Sequence, residues 1–143
     1  MHGVRRRQDP PGQASPILGL DHVQVAAPPD SEDGARRFYG NLLGLREVEK
    51  PADLRIRGGV WFACGNQELH VGVARAFVPA KKAHPALLVT SSSIDALAGR
   101  LANEGFEIQW DDVIPRRRRF YTADPWGNRV EFTTAELESP APE

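Results

Sequence analysis

Four side chains in this sequence carry the chemistry of a metal site: His22, His70, His84 and Glu131. Only one other histidine exists, His2, close to the N-terminus. The spacing of the four is regular. His22 and His70 lie 48 residues apart, and His84 and Glu131 lie 47 apart. Taken the other way, His22 to His84 is 62 residues and His70 to Glu131 is 61. Unrelated surface residues rarely fall into two pairs with matched internal spacing. Neutral imidazole and carboxylate are the donors expected for zinc, iron(II), manganese, nickel or cobalt. Two histidines with one carboxylate also match the facial arrangement of non-haem iron oxygenases. Glu68 competes for one place, because it shares a strand face with His70.

The elements that must position these residues follow from the hydrophobic period. Leu20-Asp21-His22-Val23-Gln24-Val25-Ala26 alternates, with Val23 and Val25 on one face and His22, Gln24 and Ala26 on the other, which predicts a strand. Ala35, Phe38, Tyr39 and Leu42 then repeat at helical spacing, with Asp30 or Ser31 as a cap and Gly44 as a stop. Strands are expected around Leu45–Glu49 and Gly59–Ala63, followed by a Gly65-Asn66 turn. In Glu68-Leu69-His70-Val71-Gly72-Val73, Glu68 and His70 share one face.

The order then starts again. His84-Pro85-Ala86-Leu87-Leu88-Val89 reads as a strand, and Ser91-Ser92-Ser93 offers caps. Ile94, Leu97, Ala98 and Leu101 repeat the helical period, with Gly105 as the stop. Strands are expected over Phe106–Trp110, Arg118–Ala123 and Arg129–Thr134. Asp124-Pro125-Trp126-Gly127 between the last two fits a type I turn. After it Arg129, Glu131 and Thr133 point one way, and Val130 and Phe132 the other.

The chain is therefore an internal repeat of about 60 residues in the order strand, helix, three strands. In each repeat one chelating residue sits on the first strand and one on the last. The expected domain covers residues 17–134, with one module at 17–76 and a second at 84–134. Residues 1–16, with Arg5-Arg6-Arg7 and little apolar content, and residues 135–143 read as tails.

Bulk properties narrow the function classes. The 143 residues include 18 basic and 19 acidic side chains, for a formal net charge of −1. Nothing in that balance draws the chain to nucleic acid or anionic lipid. No apolar run approaches the roughly 20 residues that span a bilayer. A single cysteine, Cys64, excludes an intramolecular disulfide framework and suits a reducing compartment, so a cytoplasmic location is expected.

Leu20-Asp21-His22-Val23, Phe38-Tyr39 with Leu42-Leu43-Gly44-Leu45, and Phe120-Tyr121 followed by Asp124-Pro125-Trp126-Gly127-Asn128-Arg129-Val130-Glu131-Phe132 carry a family resemblance. Over roughly Leu18 to Thr134 the sequence resembles the vicinal oxygen chelate superfamily of glyoxalase I, bleomycin-resistance proteins, extradiol dioxygenases and fosfomycin-resistance thiol transferases. The resemblance implies an α+β fold of two βαβββ modules forming a curved mixed sheet around a central cleft, usually completed as a homodimer. It implies a divalent metal ion held by His22, His70, His84 and Glu131, acting as a Lewis acid on a small oxygenated substrate. His22, His84 and Glu131 match the ligands of the two-His-one-carboxylate members. His70 stands where glyoxalase I has a glutamate ligand linked to proton transfer, a departure that bears on any lyase reading. Glu131 and His70 are then the expected catalytic residues. Lyase or isomerase, dioxygenase and thiol transferase chemistry stay open, as does a metal-free branch that sequesters a small molecule.

Strand parity adds substrate-facing candidates. Tyr121 with Arg119 or Arg117 shares the inward side, where a guanidinium can hold a carboxylate or phosphonate bidentately. Lys81-Lys82, just before His84, is a second basic candidate. Trp61 and Trp126 read as packing aromatics, and no partner makes Cys64 a nucleophile.

Overall fold

A computed structural model describes residues 15–135; the arginine-rich start of the chain and most of its C-terminal tail lie outside the described residues. The first module runs β1 (His22–Ala27), α1 (Glu32–Ala35) continuing as π-helical turns over Arg36–Leu42, β2 (Glu47–Val48), α2 (Ala52–Arg55), β3 (Val60–Cys64) and β4 (Gln67–Val73). The second runs β5 (Ala86–Val89), α3 (Ile94–Asn103), β6 (Gln109–Asp111), β7 (Arg119–Ala123) and β8 (Arg129–Thr134). The sheets have the same plan, β1-β4-β3-β2 and β5-β8-β7-β6, with one parallel pair and two antiparallel pairs in each. Two βαβββ modules are thus present, each with its own sheet.

The duplication reaches the ladder register. In the parallel pair of the first sheet His70 lies opposite Gln24, two positions beyond His22. In the second, Glu131 lies opposite Ala86, two positions beyond His84. Residues two apart on a strand share a face, so each histidine sits diagonally across one ladder from its partner. The matched spacing in the sequence is the trace of this matched register.

The opposite faces make the core. Phe62, Leu69 and Val71 of the first sheet are buried with Phe38 and Tyr39; Phe120, Val130 and Phe132 of the second are buried with Ile94 and Leu101. Helix α3 ends as Gly105 was expected to end it. Phe106 N–H bonds to Leu101 C=O at 3.0 Å and Gly105 N–H to Ala102 C=O at 3.0 Å, with Gly105 at φ +91°. This paired closure satisfies carbonyls that the helix end would otherwise strand. In the first module the π-helical turns are closed by Leu43 N–H on Phe38 C=O at 3.0 Å. Strand β2 is shorter than its apolar run suggested, and the single-turn α2 has no periodic signal long enough to predict it.

The Asp124–Gly127 turn does more than reverse the chain. Gly127 N–H closes on Asp124 C=O at 3.0 Å, the bond of a β-turn over Asp124–Gly127. Asp124 is 4% exposed, and its carboxylate accepts from Trp126 N–H, Asn128 N–H, Asn128 Nδ2 and the Tyr39 hydroxyl, all between 2.8 and 3.0 Å. Asn128 also donates to Ala26 C=O at 2.7 Å and accepts from Ala80 N–H at 2.9 Å. The turn of the second module is thereby fastened to β1, to the π-helical turns that carry Tyr39, and to Ala80 between β4 and β5. With the ring contact of Phe38 and Phe106, 5.0 Å between centroids, these bonds join the two modules.

Replacing Asp124 with alanine removes all four acceptor contacts and leaves buried donors unsatisfied. The expected loss is about 3 kcal/mol of unfolding free energy, with Tyr39→Phe costing about 1 kcal/mol. Urea denaturation of the two variants checks this; equal, negligible losses would contradict the linking role given to the carboxylate.

Candidate functional site

On the first sheet His22 opens β1 and His70 lies mid-β4, so both imidazoles stand on the face away from the core. The rings stack at 4.2 Å between centroids, and Trp61, opposite His70 on β3, stacks on the other side of His70 at 3.9 Å and 1°. His70 is held as the middle of three rings, its side chain 6% exposed. Gln24 occupies the space beside Gly72, where an added Cβ would come within 2.8 Å of its amide carbon. A cavity of about 430 Å³ opens over this face, with Lys50, Leu54 and Trp61 among its walls.

Hydrogen bonds fix the tautomers. A carboxylate can only accept, so the Asp21 carboxylate 2.9 Å from His22 Nδ1 requires Nδ1–H and leaves Nε2 as the lone-pair nitrogen of the neutral ring. The Glu68 carboxylate lies 2.8 Å from His70 Nε2, which leaves Nδ1 of that neutral ring as the acceptor. Glu68 therefore orients His70.

On the second sheet His84 precedes β5 and Glu131 lies in β8. His84 Nδ1 is 2.7 Å from Lys82 C=O, a pure acceptor, so Nδ1 carries a proton. The other nitrogen, Nε2, faces Glu131 Oε1 at 3.1 Å. In the neutral ring that nitrogen is a lone pair directed at a carboxylate lone pair. The contact is repulsive unless a proton or a cation lies between them. Two donors about 2.1 Å from one cation stand about 3.0 Å apart at octahedral angles and about 3.4 Å apart at tetrahedral ones, and the observed separation falls in that range. A backbone carbonyl on the far nitrogen is also the usual support of a metal-binding histidine.

Around Glu131 the face is polar and cationic. Arg119 Nη1 stands 3.9 Å from Glu131 Oε2, and the same guanidinium bonds to Asp111 at 3.1 Å and 3.2 Å. Tyr121 lies beside Glu131 on β7, opposite it in the ladder. Burial and then the Glu131 carboxylate push the Tyr121 phenol above its ordinary pKa, so it stays a donor. Arg129 lies over the Tyr121 ring at 3.9 Å.

The structure thus pairs His22 with His70, and His84 with Glu131, on separate sheets. Among the described residues no group of three or more histidine, cysteine, aspartate or glutamate side chains is close enough to hold one metal ion. Tyr121 and Arg119 join the His84–Glu131 pair, and Arg117 lies in a neighbouring cavity with Arg119. Trp61, read from the sequence as packing, is part of the His70 environment. Its role depends on the β3–β4 pairing, which no local pattern specifies. Arg129 could have been found, since it shares the parity of Glu131. Trp126 covers Gly34, 3.1 Å from where a Cβ would stand, in keeping with a packing role. Cys64 is half-buried, and burial raises its thiol pKa, opposite to what a nucleophile needs.

The family profile of the Glyoxalase/Bleomycin resistance protein/Dioxygenase superfamily matches residues 19–132. The chain belongs to this superfamily. Among solved structures, a Bacillus anthracis protein described as a glyoxalase family member is 48% identical, with a TM-score of 0.81 over 87% of this chain and 100% of that one. Lactoylglutathione lyase from Agrobacterium tumefaciens is 22% identical, with a TM-score of 0.65 over 84% of this chain and 96% of the other. A variant of the fosfomycin resistance protein FosX from Listeria monocytogenes, complexed with Mn(II) and 1S,2S-dihydroxypropylphosphonic acid, is 17% identical, with a TM-score of 0.70 over 85% and 95%. At those identities the last two show the fold. No curated protein matches the sequence. Among the described residues no helix is long and apolar enough to cross a membrane.

Both tyrosines of the superfamily member are shifted upward: Tyr121 as above, and Tyr39 by burial first and the Asp124 carboxylate second. Unfolded tyrosine ionises near pH 10. A raised folded-state pKa contributes stability that is complete below that value and lost as pH rises toward the folded-state values. A native absorbance titration is expected to show less than a full two-tyrosine step at about pH 10. Glu131→Gln is expected to return one phenol toward its ordinary value. A full two-tyrosine step in the folded wild type at the ordinary value would refute the assignment.

Proposed function

We propose that the protein is a divalent-metal-dependent enzyme of the glyoxalase/dioxygenase type, acting on a small oxygenated substrate that chelates the metal. The observation that carries this reading is the His84–Glu131 pair. Its Nδ1 is held by a backbone carbonyl, its Nε2 faces a carboxylate oxygen at 3.1 Å, and a metal cation would fit that contact in place of a bridging proton. We further propose that two copies of the chain complete the centre, the His22–His70 face of one meeting the His84–Glu131 face of the other. This arrangement supplies four donors where one chain offers two separate pairs. The homodimer is supported by that incompleteness, and the donor set suits zinc, iron(II), manganese, nickel or cobalt.

When bound, such an ion supplies Lewis acidity to substrate oxygens. The remaining steps belong to side chains. Glu131 Oε1 and His84 Nε2 act as ligands, with Lys82 C=O holding the ring in place. Tyr121, kept protonated, donates a hydrogen bond to a substrate oxygen, and Arg119 orients the substrate from the edge of the same face. His70 is a fourth ligand or the base. As base it takes a substrate proton on Nδ1, and the Glu68 carboxylate stabilises the imidazolium that forms. In that role the His70–Glu68 pair substitutes for the single glutamate of glyoxalase I. A cytoplasmic setting agrees with the lone cysteine.

Metal analysis of protein purified without an affinity tag tests the reading directly. Wild type is expected to carry or take up a divalent ion, and Glu131→Gln or His84→Ala to bind it at least about tenfold more weakly. The shared centre has its own test. His22→Ala and Glu131→Ala proteins each lack a ligand in every site, but a mixed dimer has one intact site and one doubly damaged. Mixing and refolding the two is expected to restore roughly a quarter of wild-type metal uptake. No recovery would place both ligand pairs within one chain or remove the metal.

A further inference from the structure

Between β6 and β7 the chain forms a cavity of about 440 Å³ whose walls include Asp111, Asp112 and the consecutive arginines Arg116–Arg119. Two of the arginines are accounted for. Arg118 pairs bidentately with Asp95 at 2.6 Å and 2.8 Å, and Arg119 with Asp111. Arg117 differs: its Nε is buried and has no hydrogen-bond partner among the described residues. A buried guanidinium nitrogen without an acceptor costs free energy that folding alone does not repay. The residue before it, Arg116, sits at φ +62°, a left-handed conformation that a non-glycine side chain adopts at a cost. The acidic residues of the cavity wall are Asp111 and Asp112, and Arg116 and Arg117 stand in the same wall beside the paired Arg118 and Arg119.

We infer that this cavity is an oxyanion subsite in which Arg117, assisted by Arg116, binds the anionic end of the substrate. The ligand chemistry is a carboxylate or a phosphate or phosphonate group, whose paired oxygens match the guanidinium fork. The inference rests on the proposed function for its link to catalysis. Arg119 makes that link, because it lines the cavity and also stands 3.9 Å from Glu131. A substrate bridging the two places has chelating oxygens at one end and an anionic group at the other. Arg117 lies outside β7, which begins at Arg119, so the strand parity read from the sequence does not reach it; its place beside Arg119 comes from the shared cavity wall.

Full-length protein as purified, with metal content measured on the same sample, is titrated calorimetrically with methylphosphonate, inorganic phosphate and acetate. At least one probe is expected to bind, and the order of affinities distinguishes phosphorus oxyanions from carboxylates. Arg117→Gln is expected to weaken binding about tenfold or more. Arg117→Lys, which keeps the charge without the fork, is expected to fall between. Arg75→Gln, an exposed arginine outside the cavity, should change nothing. Failure of every probe to bind overturns the subsite. So does binding that survives both Arg117 substitutions, which would assign the oxyanion to the metal. Binding through Arg117 in a protein that takes up no metal would keep the subsite and defeat the metal reading instead.

Discussion

The Asp124 carboxylate is the interaction on which the rest of the structure depends. A buried carboxylate is costly unless its lone pairs are occupied. Here four donors occupy them, from the turn itself, from Asn128 and from Tyr39 of the other module. That satisfaction fixes how β8 enters its sheet, because Asn128 is the residue before it. It also ties the start of β8 to β1 through Ala26. Glu131 lies three residues on, and its side chain inherits its direction from this anchor and from the β5–β8 ladder. A polar network with every member paired serves as a structural origin for both modules.

The site follows from register applied twice. Within each module one parallel ladder places the second ligand candidate opposite the position two residues past the first. The environments then diverge. The first half holds His70 by aromatic stacking between Trp61 and His22, with Glu68 and Asp21 setting the tautomers. The second half holds His84 by a backbone carbonyl and surrounds Glu131 with Arg119 and Tyr121. One fold unit has been used for two purposes, a flat aromatic platform and a cationic, hydrogen-bonding face.

Much of this was legible in the sequence because it depends on local period. Alternation placed His22, His70 and Glu131 on strands and assigned their faces, and helical spacing found α3 with its glycine stop. Matched separations revealed the duplication before any pairing was known. Trp61 read as a packing aromatic, and it does pack, but which ring it packs on depends on the strand beside it, a non-local fact. The short α2 and the π-helical turns escaped for a related reason: neither has enough residues to build a period. That the His22–His70 and His84–Glu131 pairs lie on separate sheets was likewise beyond the pattern, since spacing gives equivalence but not proximity.

The Lys82 carbonyl beneath His84 has one more consequence. By holding the proton on Nδ1, it leaves a single nitrogen to face Glu131, and only one small charge fits in that gap. A cation entering between His84 and Glu131 must displace whatever proton bridges them. On the metal reading proposed above, the ion and a bridging proton are alternatives for that one position.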